Sequence, residues 1–385
     1  MIYLDHAATC PMRPEVWEAM GGVRGRADYN PASMHSAGGL AGSALEEARR
    51  VISASLDIPR PDLVFTGGGT QSDNLAVLGF ARAQPAGARL VVSAVEHKAV
   101  LEAARRAERE GCLVEILPVD GDGWLDPQTL EDRLARGVEG DPPTLVSVMW
   151  ANSEVGTVQP IAELCEISHR HGAFFHTDAV QAVGKVPVSL RRVPVDLLTL
   201  TAHKLGGPVG IGALARRDTV DIEPLAYGGS QERSLWPGTQ NPMGAAGFAE
   251  AVRLAAAELP ASARRWSAMR DRLADRLRES VPGVRIHAEA AAERLPHLLS
   301  AGVPGCDQAA LLTSLDMAGV AVSAGSACAS GAATGSHVLE AMGVRPEGDY
   351  AVLRFSFGPT TTEADVEAAA ASVTEAVGRL RDREP

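Results

Sequence analysis

Two hydrophobic periods alternate along most of this chain. In Gly39–Leu56 the apolar residues Leu40, Leu45, Ala48, Val51, Ile52 and Leu56 fall mostly three to five apart with charges between them, which predicts an amphipathic helix. Leu63–Phe65 is a short apolar run closed by Thr66-Gly67-Gly68-Gly69-Thr70, a strand turning into a helix that begins at Gln71. Further strands are predicted at Leu90–Val92, Leu113–Leu117, Leu145–Met149, Ala173–His176, Val195–Leu200 and Ile211–Ala215. Helices are predicted at Ala99–Glu110 and Pro160–His171, with Pro160 suited to a first turn. Strands alternating with helices imply βαβ units, hence an α/β fold with a largely parallel sheet covered on both faces.

The pattern changes after residue 240. Asn241–Leu259 and Ala261–Ser280 are predicted as two helices separated at Pro260. Strands at Leu298–Ala301, Val320–Ser323 and Val352–Phe355, with helices at Gln308–Leu315, Ser336–Met342 and Glu363–Arg381, make a second, smaller unit. A chain of 385 residues exceeds one ordinary core, so two domains are expected, with the boundary near Pro260.

Composition narrows the function classes. Hydrophobic residues are 45% and charged residues 22%, a globular balance. The net charge of −12 argues against a direct nucleic-acid grip, which needs a basic face, although an acidic face can dock a basic partner. No apolar run is long enough to span a membrane, and Met1–His6 lacks the basic start of a signal peptide. The five cysteines, Cys10, Cys112, Cys165, Cys306 and Cys328, are scattered and form no C-x-x-C pair. Neither a disulfide framework nor a metal site is expected, and a reducing cytoplasm is the expected location.

In parallel sheets, ligands bind beyond the carboxyl ends of the strands. Gly67–Thr70, Glu96-His97, Asn152-Ser153, Asp178 and His203-Lys204 all follow predicted strands, so they collect along one edge. The glycine turn can cradle an anion at a helix N-terminus or be only a tight turn. His97 can stack on a flat ring or be an ordinary loop histidine. Asp178 can meet a cationic ring nitrogen or cap a helix. Lys204 can be a desolvated nucleophile or a solvated loop lysine. Together they are the parts a pyridoxal phosphate site requires. Cys328 lies in Ser323-Ala-Gly-Ser-Ala-Cys-Ala-Ser-Gly331, a run of small residues that suits an accessible, reactive thiol. The other four cysteines carry no such signal.

These motifs make the chain resemble the cysteine desulfurases of the nitrogen-fixation and iron–sulfur-cluster type. These are class-V aminotransferase-like, fold-type-I pyridoxal phosphate enzymes. The resemblance runs through Tyr3-Leu-Asp-His-Ala-Ala-Thr9, Asn30-Pro-Ala-Ser-Met-His35, Thr66-Gly-Gly-Gly-Thr-Gln-Ser72, Glu96-His97, Asn152-Ser-Glu-Val-Gly156 and Asp178-Ala-Val-Gln181. It continues through His203-Lys204, Gly238-Thr239, Ser326-Ala-Cys328 and Arg354-Phe-Ser-Phe-Gly358.

The resemblance implies a large cofactor domain, 12–259, with a mainly parallel seven-stranded sheet. It also implies a smaller α+β domain, 1–11 and 260–385, carrying Cys328. It implies that Lys204 holds pyridoxal 5′-phosphate covalently, that His97 stacks on its ring, and that Asp178 and Gln181 meet the ring nitrogen and ring oxygen. Asn152 and Ser153 are expected near that oxygen. Gly69, Thr70, Thr201 and His203 are expected on the phosphate, and Thr239 on the phosphate of the partner in a homodimer. Arg354 and Asn30 are expected at the carboxylate of L-cysteine. The implied reaction yields L-alanine and a persulfide on Cys328, then passes sulfur to an acceptor protein for iron–sulfur cluster assembly or other thiolation.

Three positions depart from the family pattern: Ser153 replaces a second asparagine, Trp236 replaces an arginine, and Ala333-Thr334-Gly335 replaces a Leu-Glu-Pro sequence. Ser153 offers no amide donor. Selenocysteine lyase or aminotransferase chemistry on the same scaffold, or a sulfur-trafficking paralogue serving tRNA or DNA modification, are the competing readings. Cys328 argues against transamination, which needs no thiol.

Overall fold

The computed structural model describes residues 1–58, 63–325, 335–345 and 348–382. Its first half contains β1 (Ile2–Tyr3), α1 (Pro14–Gly22), α2 (Ser36–Ser55), β2 (Leu63–Thr66), α3 (Gly69–Arg82), β3 (Arg89–Ser93), α4 (Lys98–Arg109) and β4 (Leu113–Leu117). There follow α5 (Pro127–Ala135), β5 (Thr144–Ser147), α6 (Ile161–Arg170), β6 (Phe174–Asp178), β7 (Leu197–Thr201), β8 (Gly212–Arg216) and α7 (Pro242–Ser280). The remainder is β9 (Arg285–Ile286), β10 (Leu298–Pro304), α8 (Gln308–Met317), β11 (Val320–Ala321), α9 (His337–Ala341), β12 (Tyr350–Ser356) and α10 (Glu363–Arg381).

Seven strands form one sheet in the order β2-β8-β7-β6-β5-β3-β4. Pairings from β7 through β4 are parallel, and β8 alone runs against its neighbours β7 and β2. Burial alternates between faces in the way period-two side chains require. On β3, Val91 joins one core with Phe175 and Leu198, while Leu90 and Val92 join another with Leu197 and Leu214. Both faces of the central strands are therefore covered, and they read as continuous apolar runs for that reason, whereas the edge strand β4 leaves Leu113 and Ile116 exposed. The order reverses between β5 and β3, and a crevice opens beyond the carboxyl ends at such a switch.

The second unit has an antiparallel sheet, β12-β10-β9, and a two-stranded parallel sheet, β1-β11. Its core gathers Leu4, Leu273, Leu299, Leu353, Phe355 and Val373. The N-terminal strand thus pairs with sequence more than 300 residues away, which no local pattern reveals. The short elements α1, α5, β1 and β9 went unread because each offers too few apolar positions to display a period.

The expected break at Pro260 is corrected. Helix α7 runs 39 residues straight through it. A mid-helix proline removes one N–H and crowds the carbonyl four residues earlier. Tertiary packing overrides that cost, because Phe248 and Val252 seat the first half in the large core and Trp266, Met269 and Leu273 seat the second half in the small one. Replacing Pro260 by Ala is expected to preserve the fold and to raise stability by about 1–3 kcal/mol. Thermal unfolding checks this, and a loss of stability would show that the helix needs its proline geometry.

Candidate active site

Lys204 sits just past β7, on a 3₁₀ turn at His203–Leu205 closed by Gly206 in a left-handed conformation. Its Nζ donates to the carbonyls of Ala7 and Ala8, each at 2.7 Å. Burial pushes this ammonium down to about 8, and the Arg354 guanidinium pushes the same way. At such a value the amine is available as a nucleophile or proton acceptor near neutral pH.

The neighbouring strands deliver the rest. Asp178 ends β6, and its Oδ1 accepts from the Val180 N–H at 2.9 Å. Burial raises the Asp178 carboxyl, partly offset by His97. His97 caps α4: its Nδ1 accepts from the Ala99 N–H at 3.1 Å, which leaves Nε2 to carry the proton of the neutral ring. Burial lowers the His97 pKa, so that neutral ring is favoured. His203 is likewise pushed down to about 4 by burial, and its Nδ1 is 2.7 Å from Thr9 Oγ1.

One cavity of about 310 Å³ collects these groups at the sheet edge. Gly69, Thr70, Thr201 and His203 line it around the N-terminus of α3. His97, Asp178, Gln181 and Lys204 line it beside them. Ser153 and Arg354 line it as well. Arg354 is buried, with Nη1 donating to Ser153 O at 2.9 Å and Gly325 O at 2.7 Å, and Nη2 to Asp5 Oδ1 at 2.7 Å. Its Nε has no partner among the described residues.

Three expected residues are not brought into the cavity. Asn152 is fully buried but spends its amide on the loop: Nδ2 donates to Val95 O, and Oδ1 accepts from the N–H groups of Glu154 and Val155. The expectation that Asn152 contacts the cofactor is therefore corrected: it shapes the loop that carries Ser153. Asn30 is exposed in a turn, its Oδ1 accepting from Ala32 N–H, away from the cavity. Thr239 is exposed and lines no part of the cavity. Cys328 lies outside the described residues.

Three acidic residues also line the cavity: Asp73 and Glu154, which the strand-end reading does not pick out, and Glu96, which it places at the sheet edge without a role. Asp73 lies inside the apolar helix α3, where only a lone carboxylate among core residues could have signalled it. Glu96 is fully buried, with Oε1 accepting from Met149 N–H at 2.6 Å and Oε2 without a partner among the described residues. Burial holds both the Glu96 and Asp73 carboxyls well above the usual range. Glu154 accepts from Ser336 Oγ at 2.6 Å.

Residues 2–369 match the family model described as aminotransferase class-V. The chain belongs to the class-V aminotransferase family. Relatives within it include the IscS-like cysteine desulfurase of Mycobacterium tuberculosis, 41% identical over 99% of this chain and 97% of that protein. The cysteine desulfurase IscS of Dictyoglomus turgidum is 38% identical over 100% of this chain and 96% of that protein. A solved NifS-like protein superposes with a TM-score of 0.89 at 32% identity, covering 98% of this chain and 99% of that one.

Enzymes of this family use pyridoxal 5′-phosphate, and the cavity residues fit it. A Cβ on Gly69 would lie 3.1 Å from Val180 Cγ2, so glycine keeps open the helix N-terminus where a phosphate binds. Among the described residues Gln181 Oε1 is buried without a partner, and the raised Asp178 carboxyl has no cation at ion-pair distance. A ring bearing a protonated nitrogen and a hydroxyl supplies what both lack.

The buried carboxyls make stability pH-dependent. A carboxyl with a raised folded pKa binds more protons when folded, so stability is lost as pH rises above the ordinary value of 4.5. Glu96→Gln is expected to flatten that part of the thermal midpoint-versus-pH curve. An unchanged slope in the variant would show that Glu96 folds as the anion.

Proposed function

We propose that this protein is a cysteine desulfurase converting L-cysteine to L-alanine. The observation that carries the reading is Lys204, its amine depressed to about 8, facing one cavity with His97, Asp178 and the open Gly69 cradle. The names of full-length relatives point to the same activity.

In this reading Gly69, Thr70, Thr201 and His203 hold the phosphate. Asp178 meets the ring nitrogen, Gln181 and Ser153 lie by the ring oxygen, and His97 stacks on the ring. When bound there, pyridoxal phosphate supplies an electron sink that weakens bonds around the amino-acid α-carbon. Lys204 Nζ takes and returns protons at the substrate backbone, for which a pKa near the operating pH is suited. His97 Nε2 holds a proton in the same cavity. Arg354, which lines the cavity, meets the substrate carboxylate with its guanidinium, whose plane Ser153 O, Gly325 O and Asp5 fix.

Cys328 is the sulfur acceptor. Its thiolate bonds to the substrate sulfur, the substrate carbon–sulfur bond breaks, and the sulfur leaves as a persulfide while the carbon skeleton leaves as alanine. Atoms balance between thiol plus cysteine and persulfide plus alanine. A basic acceptor protein then takes the sulfur, consistent with the −12 net charge of this chain. The working form is a cytoplasmic homodimer in which Thr239 serves the partner's phosphate. Residues 12–259 act as the cofactor domain, and 1–11 with 260–385 as the unit that carries Cys328.

The purified protein is expected to be yellow, and Lys204→Ala to lose the visible band of the bound cofactor. Cys328→Ala is expected to keep the band and lose release of sulfide from L-cysteine and reductant. Retained desulfurase turnover in Cys328→Ala would overturn the thiol mechanism.

A further inference from the structure

Behind Lys204 lies a second lysine that the proposed mechanism does not use. Lys185 is 7% exposed, and its Nζ donates to the Lys204 carbonyl at 3.0 Å and to the Val183 carbonyl at 3.4 Å. We propose that Lys185 is a positioning residue for Lys204: it clamps the Lys204 peptide carbonyl from behind the cavity and sets a second positive charge against that peptide. The inference rests on the reading of Lys204 as the residue that holds the cofactor.

Packing fixes Lys185 in this place. It closes the turn after Gln181, and the adjoining Gly184 has φ +71°. A Cβ there would lie 2.6 Å from Ala255 Cβ on α7 and 3.2 Å from Leu205 Cδ2. The turn is therefore pressed between α7 and the 3₁₀ turn that bears Lys204, and no side chain but hydrogen fits at its centre. Lys204 consequently has two differently held ends. Its amine lines the 310 Å³ cavity and bonds Ala7 and Ala8, while its carbonyl is tied to Lys185.

The described surroundings give Lys185 no counter-charge. A small cavity of about 30 Å³ on this side is lined by His6, Cys10, Arg13, Lys185, Lys204 and Glu258, among others. Arg13 and Glu258 pair with each other at 2.7 and 2.8 Å. Burial pushes His6 down to about 4 and raises the Cys10 thiol, so both are neutral near pH 7. Burial also holds the neighbouring His297 neutral. Among the described residues no carboxylate pairs with Lys185. Burying an ammonium on carbonyls alone is costly, and a hydrophobic side chain of that length would fill the space more cheaply. The charge is thus poorly explained by stability and well explained by what it touches. It lowers the Lys204 ammonium in the same direction as burial and Arg354 do, as the smaller contribution.

The test uses full-length enzyme loaded with pyridoxal phosphate and the variants Lys185→Met and Lys185→Gln. The readouts are the pH midpoint of the visible absorbance band, and kcat and KM for L-cysteine. Removing the positive charge makes protonation at the Lys204 nitrogen easier, so both variants are expected to shift the midpoint upward. A fall in kcat on the order of tenfold with a smaller change in KM is expected for Lys185→Met, as misplacing a reacting group produces. Lys185→Gln retains a donor to the Lys204 carbonyl and is expected to recover part of kcat without restoring the midpoint. Midpoints equal to wild type in both variants overturn the proposal, even if thermal stability falls, because that is the signature of a purely structural lysine. Failure of both variants to fold also overturns it. A wild-type protein with no visible band at all would instead sink the reading of Lys204.

Discussion

The carbonyl of Ala7 holds this structure at its most consequential point. It accepts from Lys204 Nζ at 2.7 Å and from Gln181 Nε2 at 2.9 Å, while the Ala7 N–H donates to Ser356 Oγ at 2.8 Å. One residue near the N-terminus thus ties the sheet edge of the large unit to a strand of the small one through its two flanking peptide groups. Asp5 repeats the arrangement with the buried Arg354. A buried guanidinium left without its carboxylate is strongly unfavourable, so the first residues of the chain are held as firmly as the strands they join.

That seam explains how a desolvated lysine is tolerated. Lys204 faces two carbonyls in place of water, which satisfies donors without neutralising charge. The same cavity is lined by buried carboxyls, Asp178, Asp73 and Glu96, raised for the same reason. Acids pushed up and bases pushed down meet in one cavity with little direct pairing between them. This is the electrostatic state of a site shaped for a ligand that brings its own charges, an anionic phosphate and a cationic ring nitrogen.

Much of the large unit was legible because buried parallel strands and amphipathic helices carry strong local periods. The runs at Leu90–Val92 and Val195–Leu200 each overlap an observed buried strand, and the polar residues after the strands mark the cavity. Legibility failed where the deciding contacts were distant. Pro260 reads as a stop, yet Phe248 and Trp266 anchor the helix on either side of it in different cores. Asn152 reads as a cofactor ligand, yet its amide is consumed by Val95, Glu154 and Val155. Asp73 and Lys185 gave no local signal, since a charged residue within an apolar stretch announces burial only when its neighbours are known.

The sequence by itself determined the alternation of strands and helices, the sheet edge at which polar residues gather, and the residue types fit for the cofactor's chemistry. These follow from side-chain period, glycine placement and functional-group identity, all local properties. The tertiary structure decided which of those side chains face one cavity, which protonation states burial imposes on them, and how residues 5–8 and 354–356 close around Lys204. Charge state and orientation depend on the dielectric and partners that folding assembles from distant segments, and no single stretch of chain contains them.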